Sequence, residues 1–124
     1  MCFIPTRVHG ILDWLLGAVL AASPWILGLD RSQPEGLVPM GIGIVALILT
    51  FFTDHELGVV RRIPMPMHLG TDVAAGALLA ASPWLFGFAD RVSTPHVVLG
   101  IAAMIAGLTT KMIPGDRRGT VGER

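Results

Sequence analysis

The chain contains little charge and almost no cysteine. Cys2 is its only cysteine, which excludes an intramolecular disulfide. Charged residues make up 15% of the 124 positions, against about 25% in a typical soluble domain. Acidic and basic residues balance at a formal net charge of zero, so composition does not indicate a nucleic-acid partner. We therefore expect neither a disulfide framework nor nucleic-acid binding.

Residues that commonly carry out catalysis are also scarce. The sequence has no glycine-rich phosphate loop, no Ser/His/Asp order and no Cys/His zinc pattern. Few hydroxyl nucleophiles are available, because the only serines are Ser23, Ser32, Ser82 and Ser93. We expect no enzymatic activity, no cofactor and no metal ion.

The sequence has instead four long apolar blocks without a charged residue. These blocks lie at 14–29, 37–53, 73–89 and 92–110. Their length predicts membrane helices, since about 20 apolar residues cross a bilayer. The predicted fold is therefore an all-α membrane bundle of four transmembrane helices. The predicted segments are 10–29, 37–52, 68–88 and 95–110.

An internal repeat organises the whole chain. Residues 4–29 and 63–88 align without a gap, with 13 identities in 26 positions. A weaker match at the same offset of 59 pairs Gly41 with Gly100. Each repeat contains two apolar blocks, so the bundle consists of two tandem helical hairpins related by a pseudo-twofold axis.

The repeat also defines the predicted domain. A single transmembrane domain covers 4–113, followed by a polar, glycine-rich tail that we expect to be disordered. The alternating prolines and methionines before His68 predict a break in any helix there. Repeat one is 4–53, repeat two is 63–112 and the cytoplasmic tail is 114–124.

A Ser-Pro-Trp motif stands late in the first helix of each repeat. Pro24 removes the backbone hydrogen bond to the carbonyl of Leu20, and the Ser23 hydroxyl can bond a carbonyl one turn earlier in its place. Gly28 can then end the helix in a left-handed conformation. Trp25 suits the headgroup region, where indole rings accumulate. We interpret the motif as a helix end and membrane anchor rather than as a gate or binding site.

The two motifs also carry a resemblance to a known family. Ser23-Pro24-Trp25 and Ser82-Pro83-Trp84 stand at one offset, each followed by two residues and then a glycine. This pattern resembles the SPW repeat family of small membrane proteins over residues 4–112. The resemblance implies an integral membrane protein built of two-helix repeats. The resemblance does not indicate any particular activity, so no functional residue is assigned from it.

Two repeated polar pairs are the candidate functional residues. His9 and Asp13 are four residues apart on one helix face, and His68 and Asp72 repeat them. We expect the pairs to face protein, with each histidine within hydrogen-bonding reach of its own aspartate or of the other repeat. The functional alternatives are a proton relay, an ion site or a His/Asp metal site. The favoured structural alternative is that the helix dipole holds each carboxylate.

Two further patterns concern packing and the central loop. Small residues four apart predict close helix packing, although glycine and alanine are also simply common in membrane helices. The loop sequence Asp54-His55-Glu56 predicts a solvated segment, and Trp14 predicts a cytoplasmic-side membrane anchor. The small-residue pairs are Gly17/Ala21, Gly76/Ala80 and Ala103/Gly107.

Lysine and arginine are unevenly distributed among the connections. Seven of the nine lie in the N-terminal, central and C-terminal segments, and only Arg31 and Arg91 lie in the other two loops. The positive-inside rule therefore predicts a multi-pass protein of the cytoplasmic membrane with both termini in the cytoplasm.

The preferred function is a structural or interaction protein in the lipid bilayer, assembled as a homo-oligomer. The alternative is a proton- or ion-conducting oligomer that uses the repeated His/Asp pairs.

Overall fold

A computed structural model describes residues 3–111, and it confirms the all-α fold. Within this range the chain forms four helices and no strand. The predicted tail at 114–124 lies outside the described residues. The helices are α1 (Thr6–Leu27), α2 (Pro34–Phe52), α3 (Met65–Leu85) and α4 (Thr94–Thr109).

The helices differ in how well they suit a bilayer. α1 and α2 are each long and apolar enough to cross a membrane. α4 is apolar but has only 16 residues, or about 24 Å, against a hydrocarbon core of about 30 Å. α3 has 21 residues but carries His68 and Asp72 near its start. The structure thus confirms the four predicted helices. Two of them have the length and composition of a membrane span.

The predicted helix break before His68 is wrong. α3 begins at Met65, three residues earlier, with Pro64 as its N-cap and Pro66 in its first turn. Proline is tolerated there because the first-turn N–H groups have no helical partner in any case. α2 starts in the same way, at Pro34.

Glycines allow the two helices of each hairpin to cross closely, as the small-residue spacing predicts. A Cβ atom placed at Gly43 on α2 would lie 2.8 Å from the backbone oxygen of Gly17 on α1. In the second hairpin, a Cβ at Gly100 on α4 would lie 2.5 Å from the oxygen of Gly76 on α3. Real Cβ atoms do not approach backbone this closely, so both crossings require glycine.

These crossings correct the predicted register of the second helices. Gly43, not Gly41, is the structural counterpart of Gly100, since a Cβ at Gly41 would meet nothing within 4 Å. The left-handed glycines Gly28 and Gly87 follow the first helices at the offset of 59. Gly43 follows Gly28 by 15 residues and Gly100 follows Gly87 by 13. The spacing from the left-handed glycine to the crossing glycine is therefore two residues shorter in repeat two.

Polar side chains lie inside the bundle, and apolar side chains cover its outside. Of the buried side chains described, five are hydrophobic and twelve are polar or charged. Large apolar side chains on all four helices are at least 36% exposed, among them Leu15, Ile48, Leu78 and Ile105. Water-soluble proteins bury mainly apolar side chains and expose polar ones. The distribution here is therefore typical of a protein surrounded by lipid.

Candidate functional site

The two predicted His/Asp pairs meet between α1 and α3 and form one cluster, which we call the His–Asp quartet. Nε2 of His9 lies 2.8 Å from Oδ2 of Asp72 and 3.1 Å from Oδ1 of Asp13. Nε2 of His68 lies 2.8 Å from Oδ2 of Asp13 and 3.3 Å from Oδ2 of Asp72. Each histidine therefore contacts its own aspartate and, more closely, the aspartate of the other repeat. The expected hydrogen-bonding reach is confirmed.

Two threonines that the sequence reasoning missed orient the imidazole rings. Nδ1 of His9 lies 2.8 Å from Oγ1 of Thr110, and Nδ1 of His68 lies 2.6 Å from Oγ1 of Thr53. Each hydroxyl already donates its single hydrogen to a helical carbonyl, Thr110 to Ala106 and Thr53 to the carbonyl four residues earlier. The hydroxyl oxygens must then accept from the imidazoles, so Nδ1 carries hydrogen in both rings.

This assignment determines the chemistry at the centre of the quartet. With Nδ1–H directed at threonine, both Nε2 atoms face carboxylate oxygens at hydrogen-bond distance. A bare nitrogen lone pair would repel a carboxylate, so each close contact needs a proton between the two atoms. Two imidazolium ions opposite two carboxylates give a cluster without net charge. Both histidines are 1% exposed, and buried charges of this kind persist only when paired.

Short backbone pairings between the repeats bring the threonines to the histidines. Ile4 pairs with Thr110, and Ile63 pairs with Thr53. In each case the residue after the second helix of one repeat lies beside the entry to the first helix of the other. The pseudo-twofold relation therefore extends beyond the helices to the hydrogen bonds of the quartet. The sequence signal that could have identified Thr53 and Thr110 is their position at the ends of the apolar blocks 37–53 and 92–110.

The prediction of a solvated Asp54-His55-Glu56 segment is wrong for His55, whereas Asp54 and Glu56 are partly exposed. His55 is fully buried, and its ring stands edge-to-face to His68 with centroids 6.1 Å apart. Both Glu56 oxygens lie 2.8 Å from the Thr6 hydroxyl, and Asp54 forms an ion pair with Arg61 at 3.0 Å. Glu56 thus has a partner on α1, and Asp54 has one within the connection.

Burial also sets the state of His55. Desolvation lowers the pKa of the His55 imidazole below its ordinary value. Its Nδ1 accepts the Leu57 N–H at 3.1 Å, so the hydrogen of the neutral ring lies on Nε2, which has no hydrogen-bond partner among the described residues.

Trp14 donates its indole N–H to the Leu57 carbonyl at 3.2 Å. The indole N–H of this predicted membrane anchor thus has a protein partner.

The Ser-Pro-Trp motifs lie at the opposite ends of α1 and α3 from the quartet. The Ser23 hydroxyl donates to the Leu20 carbonyl, and the Ser82 hydroxyl donates to the Leu79 carbonyl, both at 2.7 Å. These are the carbonyls that Pro24 and Pro83 leave without a backbone donor. The serine thus replaces the hydrogen bond that the proline removes, as the sequence predicts.

The tryptophans of the motif point away from the bundle. Trp25 is 61% exposed and Trp84 is 64% exposed, each within the last turn or so of its helix. The Arg31 guanidinium lies 5.0 Å from the Trp25 ring centroid, in range for a cation–π contact. The motif therefore ends a helix and presents an indole outward, and its depth in a membrane stays a prediction.

A second buried histidine site at this end of the bundle was not predicted. Pro39 inside α2 leaves the Glu35 carbonyl without its helical donor. Nε2 of His96 on α4 donates to that carbonyl at 2.8 Å. Arg91 binds the Glu35 carboxylate with two nitrogens, at 2.9 and 3.0 Å. These contacts join the two hairpins at the end opposite the quartet.

Empty space adjoins the quartet. A cavity of about 50 Å³ extends from His9, Asp13 and Asp72 along the helices as far as Leu20 and Leu79, and its walls are otherwise mainly apolar. A side groove between α2 and α3, of about 280 Å³, also reaches Asp72. Apart from the quartet, the cavity has no ionisable side chain on its walls. It can hold a few water molecules.

The quartet also has the composition of a cation site. One ligand atom from each of its four residues can be chosen so that all four atoms lie within 4.8 Å of one another. The arrangement can therefore do two things chemically. It can share protons between imidazole and carboxylate, or it can surround a single cation.

Comparison with known proteins supports the resemblance noted in the sequence. The profile of the SPW repeat domain matches residues 7–110, which include both Ser-Pro-Trp motifs and the whole quartet. No curated protein and no solved structure matches the chain. Since the matched region covers most of the 124 residues, the chain belongs to the SPW repeat family.

Proposed function

We propose that the chain is a multi-pass protein of the cytoplasmic membrane with a structural or interaction role and no catalytic activity. Its partners are the lipid bilayer and further copies of itself. The apolar exterior and polar interior support burial in lipid. The short α4 crosses with local thinning of the bilayer, and the Lys/Arg distribution supports cytoplasmic termini.

The first prediction tests the topology. Reporter domains fused after Arg31 and Arg91 should be active outside the cytoplasmic membrane, and those fused after Arg62 and Arg118 should be active inside. The expected pattern follows from four spans and the positive-inside rule. Paired reporters that work only on opposite sides of the membrane provide the measurement and its control. A fusion after Arg62 that reports outside would refute four spans with cytoplasmic termini.

In this proposed structural role, the quartet holds the two hairpins together. The observation that carries this role is that all four imidazole nitrogens have partners inside one chain. Nδ1 of each ring meets a threonine, and Nε2 meets both carboxylates. A buried cluster whose imidazole nitrogens all have partners rigidifies the interface that it crosses.

One observation favours proton conduction as the second candidate. Asp72 borders both the axial cavity and the groove between α2 and α3, so water has space on two sides of the quartet. A second subunit could complete a path through that groove. Intramembrane carboxylates commonly mark proton or ion pathways.

The second prediction separates these candidates by flux. Purified protein in liposomes with an imposed pH gradient should show no proton flux above protein-free liposomes, measured with a trapped pH-sensitive dye. The Asp72→Asn variant serves as the matched control, because an amide keeps a hydrogen-bonding group but does not ionise near neutral pH. Flux in the wild type that Asp72→Asn abolishes, with the variant still folded, would replace the structural role by conduction.

A further inference from the structure

We infer that the His–Asp quartet is a binding site for one divalent transition-metal ion of the zinc class, held by Nε2 of both histidines and one oxygen of each aspartate. This inference goes beyond the proposed structural role. It depends on the geometry of the quartet and not on the number or direction of membrane spans. It also replaces the expectation from sequence that the chain binds no metal.

The first support is the number and type of ligand atoms. Two imidazole nitrogens and two carboxylate oxygens complete a four-coordinate shell of the kind that Zn²⁺ adopts. Bonds of about 2.0–2.2 Å place tetrahedral ligands about 3.3–3.6 Å apart. The N–O distances in the quartet run from 2.8 to 3.3 Å, with Asp13 facing His9 through Oδ1 and His68 through Oδ2. One ligand atom from each residue can be chosen so that all four lie within 4.8 Å of one another. Side-chain movements that widen the short N–O contacts and close the longer separations therefore bring the four atoms to the spacing that an ion requires.

The second support is independent of the ligand atoms themselves. Metal-binding histidines generally donate their other ring N–H to a fixed acceptor, which sets the tautomer and the ring orientation. Thr110 and Thr53 perform this role for His9 and His68, at 2.8 and 2.6 Å. Because each hydroxyl hydrogen is committed to a helical carbonyl, the threonine oxygens act only as acceptors. Both Nε2 atoms are thereby directed at the carboxylates of the quartet.

The third support is charge. Two carboxylate ligands and two neutral imidazole ligands balance the charge of one M²⁺ ion, so a divalent ion leaves no uncompensated charge inside the bundle. A monovalent or trivalent ion would leave the site charged.

The donor set and the access route narrow the ligand further. Imidazole suits Zn²⁺ and its transition-metal neighbours, whereas Mg²⁺ and Ca²⁺ prefer six or more oxygen ligands. An ion can approach through the groove between α2 and α3, which reaches Asp72. The site therefore favours zinc-class ions over Mg²⁺ and Ca²⁺ through its donor atoms and its coordination number.

The third prediction tests the metal site in the full chain, purified in detergent and treated with a chelator. Titration calorimetry with Zn²⁺ should give one ion per chain, with excess Mg²⁺ unable to compete. Co²⁺ should bind with the intense visible absorption of tetrahedral coordination. His68→Gln should weaken Zn²⁺ binding by at least about 100-fold through loss of a ligand. Thr53→Val, which keeps all four ligands, should weaken it by about 10–100-fold.

His96→Gln is the matched control, because His96 is equally buried but lies at the other end of the bundle. It should bind Zn²⁺ as the wild type does. Unchanged Zn²⁺ binding in a folded His68→Gln variant would overturn the inference. If that variant does not fold, the wild-type Co²⁺ spectrum decides, since absent binding or an octahedral spectrum would also overturn it. Neither measurement depends on topology or proton flux, so the proposed function can fail separately.

Discussion

Replacing Asp13 by leucine should lower the free energy of unfolding by about 3–5 kcal/mol, the cost of removing one partner from a buried ion pair. Asp13 accepts from both histidines of the quartet, at 2.8 and 3.1 Å. Its loss leaves two buried imidazoles around a single carboxylate. Asp13→Asn should lower the free energy of unfolding by less, since the amide oxygen still accepts a hydrogen bond. Reversible unfolding in detergent, followed by circular dichroism, measures the difference.

The equivalent change in the other repeat provides the control for this prediction. Asp72→Leu should destabilise the protein to a similar extent, because the quartet is nearly symmetric. The double variant Asp13→Leu/Asp72→Leu should cost clearly less than the sum of the two, since residues of one network couple. Full additivity, or an Asp13→Leu variant as stable as the wild type, would show that the quartet does not hold the hairpins together.

Gly43→Ala should lower the stability by about 1–3 kcal/mol, as expected when a methyl group is forced into a packed interface. The added Cβ would lie 2.8 Å from both the Gly17 oxygen and the Leu20 carbonyl carbon. These are helix backbone atoms, so α1 and α2 would have to separate. Thermal unfolding in detergent measures the effect.

Gly41→Ala, two residues earlier on the same helix, is the control for this crossing. Its Cβ meets open space, so the change should be neutral or raise the stability by up to about 1 kcal/mol through better helix propensity. The two positions also test the register, because the offset of 59 would make Gly41 the counterpart of Gly100. A more damaging change at Gly41 than at Gly43 would contradict the crossing described above.

The helical hairpins and the candidate residues were accessible from sequence because local patterns encode them. Uncharged apolar blocks predicted the four helices, and the spacing of four placed His9 and Asp13 on one helix face. The bond from Ser23 to the Leu20 carbonyl was predictable because a proline always frees the carbonyl four residues before it. The repeat supplied the second copy of each feature.

The helix start at Met65 could also have been predicted from local chemistry. Proline is disfavoured inside a helix but tolerated in its first turn. The alternating prolines before His68 fit either a break or a beginning. The structure uses them as a beginning, and this extends α3 by one turn.

By itself, the sequence determined an all-α chain of two hairpins, the family, and which polar residues are repeated. Only the tertiary structure decided that each histidine bonds the aspartate of the other repeat, that Thr53 and Thr110 orient the rings, and that His55 is buried. Thr110 and His9 are 101 residues apart, and no helical or strand period connects positions at that distance. The register of α2 and α4 could not be predicted for a related reason. A two-residue difference in the spacing from the left-handed glycine to the crossing glycine alters no local pattern but moves every later contact. Contacts between elements depend on how the hairpins close around each other, and that closure is a property of packing in three dimensions.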